Sequence, residues 1–218
     1  MTPNDLDRVV LPIVLLAFLL GALVAPSVRA RRRLGHSVVM LAQAREPIAH
    51  FVAASFKAAI AAVAVWSFLF SALGPVPLSV WAVPGWLRWF GWGAIAAGFA
   101  LVLVAQRAMG DSWRVGVDDR PTLLVTTSIF RCVRNPIFSS MLLMLLGLVL
   151  LTPSPWSFMG WLWAATLTAL QVRVEERHLV ALHGEAYARY ASRVGRFVPC
   201  LGRLSPRGAL AVLSREES

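Results

Sequence analysis

Apolar residues fall in five runs separated by polar or proline-rich breaks: Val9 to Val28, Ile48 to Leu73, about Gly85 to Ala105, Ile137 to Leu151 and Trp156 to Val172. The first three have the length a helix needs to cross a hydrocarbon core of about 30 Å. The last two are 15 and 17 residues long, and Thr152-Pro153-Ser154-Pro155 joins them without a charge. That pair predicts a thin or tilted helical hairpin. No stretch alternates with the period of two that marks a strand. The pattern therefore predicts an all-α fold: an integral membrane bundle of about five transmembrane helices, with a C-terminal helical segment beyond it.

The polar breaks orient the bundle. Arg29, Arg31, Arg32, Arg33 and Arg45 follow the first run. Together with residues 106–136 and the stretch after Val172 they hold 18 of the 21 basic side chains, the exceptions being Arg8, Lys57 and Arg88. The 74–84 and 152–155 connections hold none. Positive charge stays on the cytoplasmic side of inner membranes, so five spans place the N-terminus outside and the C-terminus in the cytoplasm. Lys57 lies inside the second run, where it snorkels or faces the bundle. Trp81, Trp86, Trp89 and Trp92 cluster at one end of the third run, as interfacial aromatics do. Acids rather than a basic region precede the first run, and no A-x-A site follows it, so it is read as a retained helix and not a signal peptide. After Val172 the pattern is helical, with Gly184 a possible break, and residues 203–218 are expected to be a mobile tail.

Composition adds to this in two places. Apolar residues make up 58% of the 218-residue chain and charged ones 15%, far from the roughly even and quarter shares of soluble domains. The 21 basic residues against 11 acidic ones are dispersed between apolar runs, which suits anionic lipid headgroups and membrane topology rather than nucleic acid. Cys132 and Cys200 lack metal-site spacing and read as free thiols. His36, His50, His178 and His183 form no HxxxH or HExxH pair, so no metal is expected.

Two clusters hold candidate chemistry. In Arg131-Cys132-Val133-Arg134-Asn135-Pro136-Ile137-Phe138, asparagine suits an N-cap and proline the first helical turn. A helix starting there would present free N–H groups and the positive end of its dipole, and Arg131 and Arg134 add charge. Such an end attracts carboxylate or phosphate; the alternative is a capped helix whose arginines touch lipid phosphates. The second cluster is Glu175-Glu176, at the foot of the fifth run. Adjacent helical positions point about 100° apart, so one of the two is expected to face a pocket. A carboxylate there suits an ammonium, a sulfonium or a ribose hydroxyl, and the alternative is salt bridges to Arg173 and Arg177. Both clusters lie on the same side of one hairpin, which fits a zwitterionic ligand such as S-adenosylmethionine. The GxGxxG dinucleotide fingerprint is absent.

The run from Leu124 to Phe138 resembles an L-V-x-x-G-P-Y-x-x-x-R-H-P-x-Y block. Glu175-Glu176-Arg177-His178-Leu179, Gly184, Tyr187, Tyr190 and Arg196-Phe197-Val198-Pro199 resemble E-E-x-x-L…G-x-x-Y-x-x-Y…R-F-x-P. Met109-Gly110-Asp111-Ser112-Trp113 resembles the element that often precedes them. These blocks are similar to those of the isoprenylcysteine carboxyl methyltransferases and the related phospholipid N-methyltransferases, over roughly residues 105–202. The resemblance implies N-terminal transmembrane helices over 1–105 and a methyltransferase core over 106–202, made of a re-entrant loop, a helical hairpin and C-terminal helices. It implies S-adenosylmethionine bound at the cytoplasmic face, and a lipophilic acceptor arriving laterally from the bilayer. By the same likeness Arg134, Asn135, Pro136, Phe138, Glu175, Glu176, Tyr187, Tyr190 and Arg196 line the cofactor.

Three positions depart from the pattern. Asn135 replaces a histidine and removes a titratable ring. Ser128-Ile129 replaces Gly-Pro, which predicts a different loop conformation. Phe138 lacks a tyrosine hydroxyl. Methyl transfer is an in-line displacement that needs alignment and exclusion of water. A carboxylate acceptor needs only an orienting cation, Arg173 or Arg134. An amine or phenol needs a proton acceptor, Glu175 or Glu176, with Glu176 the first choice. The arginine-rich composition suits a GC-rich bacterial genome and hence an inner membrane. Two other classes predict different ligands. A membrane reductase of the steroid-reductase type would bind NADPH, and a non-enzymatic membrane protein would bind neither cofactor. The acceptor's identity and the oligomeric state stay open.

Overall fold

The computed structural model describes residues 3–34, 47–110 and 123–205. The described chain is helical, with one isolated parallel bridge between Val133 and Gly195. Helix α1, Pro3–Phe18, passes through a π-helical segment, Leu19–Val24, into α2, Ala25–Leu34. Then follow α3, Pro47–Leu73, and α4, Gly85–Met109. A 3₁₀ turn at Ser128–Arg131 precedes α5, Pro136–Leu151, and α6, Pro155–His183. The short α7 spans Glu185–Arg193.

Three helical stretches, Asp5–Arg29, Ala54–Leu73 and Gly85–Met109, are long and apolar enough to cross a membrane, and α5 is a shorter apolar helix. Their outward faces carry exposed large hydrophobics such as Val65, Phe68, Trp89 and Phe90. That inside-out distribution belongs to a bundle solvated by lipid. Lys57 is exposed and so lies on the outer surface, not in the interior.

Where the boundaries differ from the sequence expectation, local chemistry explains it. The first helix starts before the apolar run because Asp7 is buried and taken up by Trp92 and Arg88: Trp92 Nε1–H donates to Asp7 Oδ1 at 3.1 Å, and Arg88 pairs with Oδ2. Trp92 thus faces inward, while Trp81, Trp86 and Trp89 stay exposed. The polar foot after Val172 is not a separate helix. It continues α6, which at 29 residues extends well beyond its apolar part. Gly184 ends α6 with φ +52°, a left-handed geometry that glycine adopts at little cost. Of the expected mobile tail, residues 206–218 lie outside the described residues, as do Asp111, Ser112 and Trp113 of the preceding element.

The closest helix pair is α4 against α5. A Cβ on Gly147 would lie 2.6 Å from the Gly91 carbonyl oxygen, and one on Gly98 would lie 2.4 Å from Met144 Cγ and 2.7 Å from the Ser140 carbonyl oxygen. Small residues let two backbones approach in lipid, where hydrophobic transfer gives no drive to associate. At the end of the hairpin opposite α7, Ser154 and Ser157 form a reciprocal capping box on α6, and Trp66 Nε1–H donates to Thr152 Oγ1 at 3.0 Å. We expect Gly147→Ala to destabilise the protein by about 1–3 kcal/mol through overpacking. Gly93→Ala, whose Cβ meets nothing within 4 Å, should be neutral or stabilising by about 0.5–1 kcal/mol. Thermal unfolding of the two variants in one detergent checks the contrast.

Candidate functional site

The site is assembled at the α7 end of the bundle, where the turn before α5 meets a strap formed by residues 194–204. The turn opens at Ser128, with φ +55°. The loop therefore keeps a glycine-type backbone at the position where the resembling families have glycine, contrary to the expectation from the substitution. Just before α5, the two backbone amides are already used. Arg134 N–H donates to the Gly195 carbonyl at 2.8 Å and Asn135 N–H to the Arg196 carbonyl at 3.1 Å. Asn135 occupies the N-cap, but its side chain makes no capping bond and instead donates to the Arg196 carbonyl at 3.3 Å. The backbone bonds use the two amides that precede the helix; Ile137 and Phe138 carry the N–H groups of its first turn. Only glycine fits at 195, because a Cβ there would lie 2.0 Å from the Val198 carbonyl oxygen.

Arg134 is the hub. It is 5% exposed, and each of its N–H groups has an acceptor. Nε–H and one Nη2–H donate to Glu176 Oε1 at 3.1 and 2.8 Å, and the second Nη2–H to the Gly202 carbonyl at 3.0 Å. Nη1 donates to the carbonyls of Ala191, at 2.9 Å, and Val194. Five donors is the full complement of a guanidinium. Glu176 is shared with Arg196, whose Nη2 lies 2.7 Å from Oε2 and whose Nε lies 3.2 Å from Oε1. One buried carboxylate between two guanidiniums ties α6, the turn and the strap together. Glu176 and Arg134, the leading candidates for contact with a reacting group, hold each other.

Glu175 is different. It is half-buried on the next position of α6 and makes no hydrogen bond or ion pair with any described residue. Burial, with the Glu176 charge adding, raises its carboxyl from 4.5 to about 7. The tyrosines support the strap from α7. Tyr190 O–H donates to the Phe130 carbonyl at 2.7 Å, and its ring packs edge-on to Tyr187 at 6.0 Å. Burial pushes the Tyr190 hydroxyl up to about 12 and raises Tyr187 as well, so neither ionises near neutrality. Arg173 is exposed and meets no described partner. Phe138 turns away from the strap toward α3, its ring 5.9 Å from that of Phe56.

Phe56 leads to a feature that sequence patterning does not reveal. A cavity of about 260 Å³ lies between α1, α3, α5 and α6, with Phe56, Trp66, Met141, Leu148 and Trp161 among its lining. Its volume approaches the lower end of small-molecule pockets, about 300 Å³. Residues on apolar helices give no periodic signal for a cleft between them, because both their faces read alike.

The energetics of the hub give two expectations. Removing one member of a buried ion pair costs roughly 3–5 kcal/mol, so Arg134→Ala should lower the melting temperature and speed amide exchange across residues 191–204. Exchange confined to other segments would contradict the hub. For Glu175 the raised carboxyl favours the protonated folded state. Its stabilising effect is complete below pH 4.5 and is lost as the pH rises through about 7. Glu175→Gln should therefore gain stability relative to wild type between pH 5 and 8, a trend that melting curves across that range would show.

No curated protein matches the chain. A sequence model of the family described as phospholipid methyltransferase matches residues 86–186, which takes in α4, the turn with Arg134, the α5–α6 hairpin and the start of α7. The stretch that carries Arg134, both glutamates and the hairpin is therefore the part of the chain that is similar to the phospholipid methyltransferase family.

Proposed function

We propose that the protein transfers a methyl group from S-adenosylmethionine to a lipophilic acceptor, at the cytoplasmic face of a bacterial inner membrane. The acceptor is a prenyl or lipid-like molecule whose carboxylate, amine or hydroxyl receives the methyl. The observation that carries this reading is the carboxylate of Glu175, without a partner among the described residues, beside the closed Arg134–Glu176–Arg196 cluster. The cofactor's donor set suits that arrangement: its ammonium, sulfonium and ribose hydroxyls all favour a carboxylate. Glu175, Tyr190 and the Arg196 side of the strap would hold it. S-adenosylmethionine supplies an electrophilic methyl group on sulfur when bound.

The chain's own residues do the rest. Arg134, Glu176 and Arg196 fix the strap, which excludes water from the α7 end of the hairpin. Asn135 and Pro136 set where α5 begins and so where Phe138 lies. Arg173, exposed at the foot of α6, can orient an anionic acceptor. Glu175, with its carboxyl near 7, is suited to take a proton from an amine or hydroxyl acceptor. The basic segments orient the bundle with its N-terminus outside, and the cavity supports an acceptor that arrives from lipid.

Calorimetry on detergent-purified protein tests the cofactor. S-adenosylmethionine and S-adenosylhomocysteine should bind saturably with micromolar affinity, and Glu175→Gln should weaken S-adenosylmethionine at least about tenfold, the scale of one charge-assisted contact. Saturable NADPH binding instead would move the protein to reductase chemistry, and binding of neither would leave a non-enzymatic role. Because Glu175 ionises near 7, wild-type affinity should rise about tenfold from pH 6 to pH 8, beyond any trend shared with Glu175→Gln. A pH profile identical in both proteins would remove Glu175 from the cofactor site.

A further inference from the structure

Helix α6 carries three polar side chains at positions 168, 171 and 175. In an α-helix these spacings put all three on one face. Thr168 is 4% exposed and Gln171 9% exposed, and neither side chain hydrogen-bonds to any described residue. Several other hydroxyls in the bundle, buried or exposed, bond to the carbonyl one turn back. Ser140 O–H donates to the Pro136 carbonyl at 2.7 Å, Thr152 to the Leu148 carbonyl at 2.9 Å and Thr166, on the same helix, to the Leu162 carbonyl at 3.0 Å. Thr168 forgoes that bond and lines the apolar cavity. Gln171 follows one turn nearer to Glu175, whose carboxylate also has no partner among the described residues.

Buried polar groups are almost always hydrogen-bonded. The polar atoms of Thr168 and Gln171 have no partner among the described residues and are not sealed off, so two groups in register, ending at a carboxylate that also lacks a described partner, are open to a ligand that supplies theirs. Neither Thr168 nor Gln171 is charged, so a neutral group with hydrogen-bonding atoms complements them without leaving an uncompensated charge at this depth. A hydroxyl or amide pairs best with an ester, amide or alcohol.

We propose that Thr168 and Gln171 form a recognition subsite for the acceptor. On this assignment the acceptor is an amphiphile with its hydrocarbon chain in the α1–α3–α5–α6 cavity. A neutral ester, amide or hydroxyl link lies beside Thr168 and Gln171, and its methyl-accepting group lies at the level of Glu175. At 1.5 Å per residue, Glu175 sits about 6 Å beyond Gln171 and about 10 Å beyond Thr168 along the helix. The link and the accepting group are therefore separated by a few bonds. This rests on the reading that the cavity receives a lipophilic acceptor, and it adds which polar feature the protein reads.

The test uses the full chain in nanodiscs and two photoreactive probes of equal length. One is a monoacylglycerol with a diazirine in its chain; the other is the corresponding alkane. Labelled peptides are mapped by mass spectrometry. The monoacylglycerol should label α3 and α6 at the cavity in preference to the alkane. Thr168→Val and Gln171→Leu should each reduce that preference roughly three- to tenfold, the scale of one hydrogen bond. Thr168→Ser, which keeps the hydroxyl, should restore it. Equal labelling by both probes in wild type, or an unchanged preference in both variants, overturns the subsite while leaving the cavity's role intact. Equal loss of both probes in a variant that melts like wild type assigns the residue to packing and overturns the proposal. Labelling by neither probe removes the cavity reading and the subsite together. Binding of S-adenosylmethionine to the same preparations reports the cofactor site independently.

Discussion

The contact between Arg134 and Glu176 is the constraint on which the α7 end of the molecule depends. A guanidinium buried at the edge of a membrane is stable only if every N–H finds an acceptor and its charge finds a carboxylate. Arg134 meets that demand with one side chain and three backbone carbonyls drawn from α7 and the strap. The route of residues 191–202 is therefore dictated by the hydrogen-bonding geometry of one side chain. Gly195 and the positive φ of Gly202 are the backbone's accommodation to that route. Tyr190 then fastens α7 to the 3₁₀ turn, and Ser139 fastens the strap to the first turn of α5.

This arrangement divides labour between two adjacent glutamates. Glu176 is paired with two guanidiniums, those of Arg134 and Arg196. Glu175, about 100° round the helix, has no partner among the described residues, and its ionisation falls near neutral pH because burial opposes charge and its neighbour repels it. A rigid ion-pair cluster and a tunable carboxylate thus sit on consecutive residues. The resulting site is held by one and offered by the other.

Much of this was legible in the chain. The uncharged Thr152–Pro155 link announced the hairpin, Pro136 the start of α5 and Gly184 the break before α7, because each acts locally through backbone chemistry. The paired glutamates stood out as acids in a region where topology favours arginine. What could not be read was the allocation of partners. Arg134 is satisfied largely by carbonyls 57 to 68 residues away, and carbonyls are present at every position, so no residue pattern announces them. The N-cap expectation failed at Asn135 for the same reason: a distant carbonyl, Arg196, competes for the side chain. Thr168 and Gln171 were visible as polar residues in an apolar run, yet their lack of partners is a property of three-dimensional packing alone.

The distance along the chain between Arg134 and its last acceptor also sets a clock. At synthesis rates of about 5–20 residues per second, the 68 residues from Arg134 to Gly202 take roughly 3–14 s to emerge. Throughout that interval α5 and α6 can enter the bilayer while the guanidinium at their foot has only part of its shell. A nascent chain stalled before residue 202 would thus hold the α5–α6 hairpin with an arginine that lacks its last acceptor. Quality control at the membrane would meet that intermediate before it met a finished site.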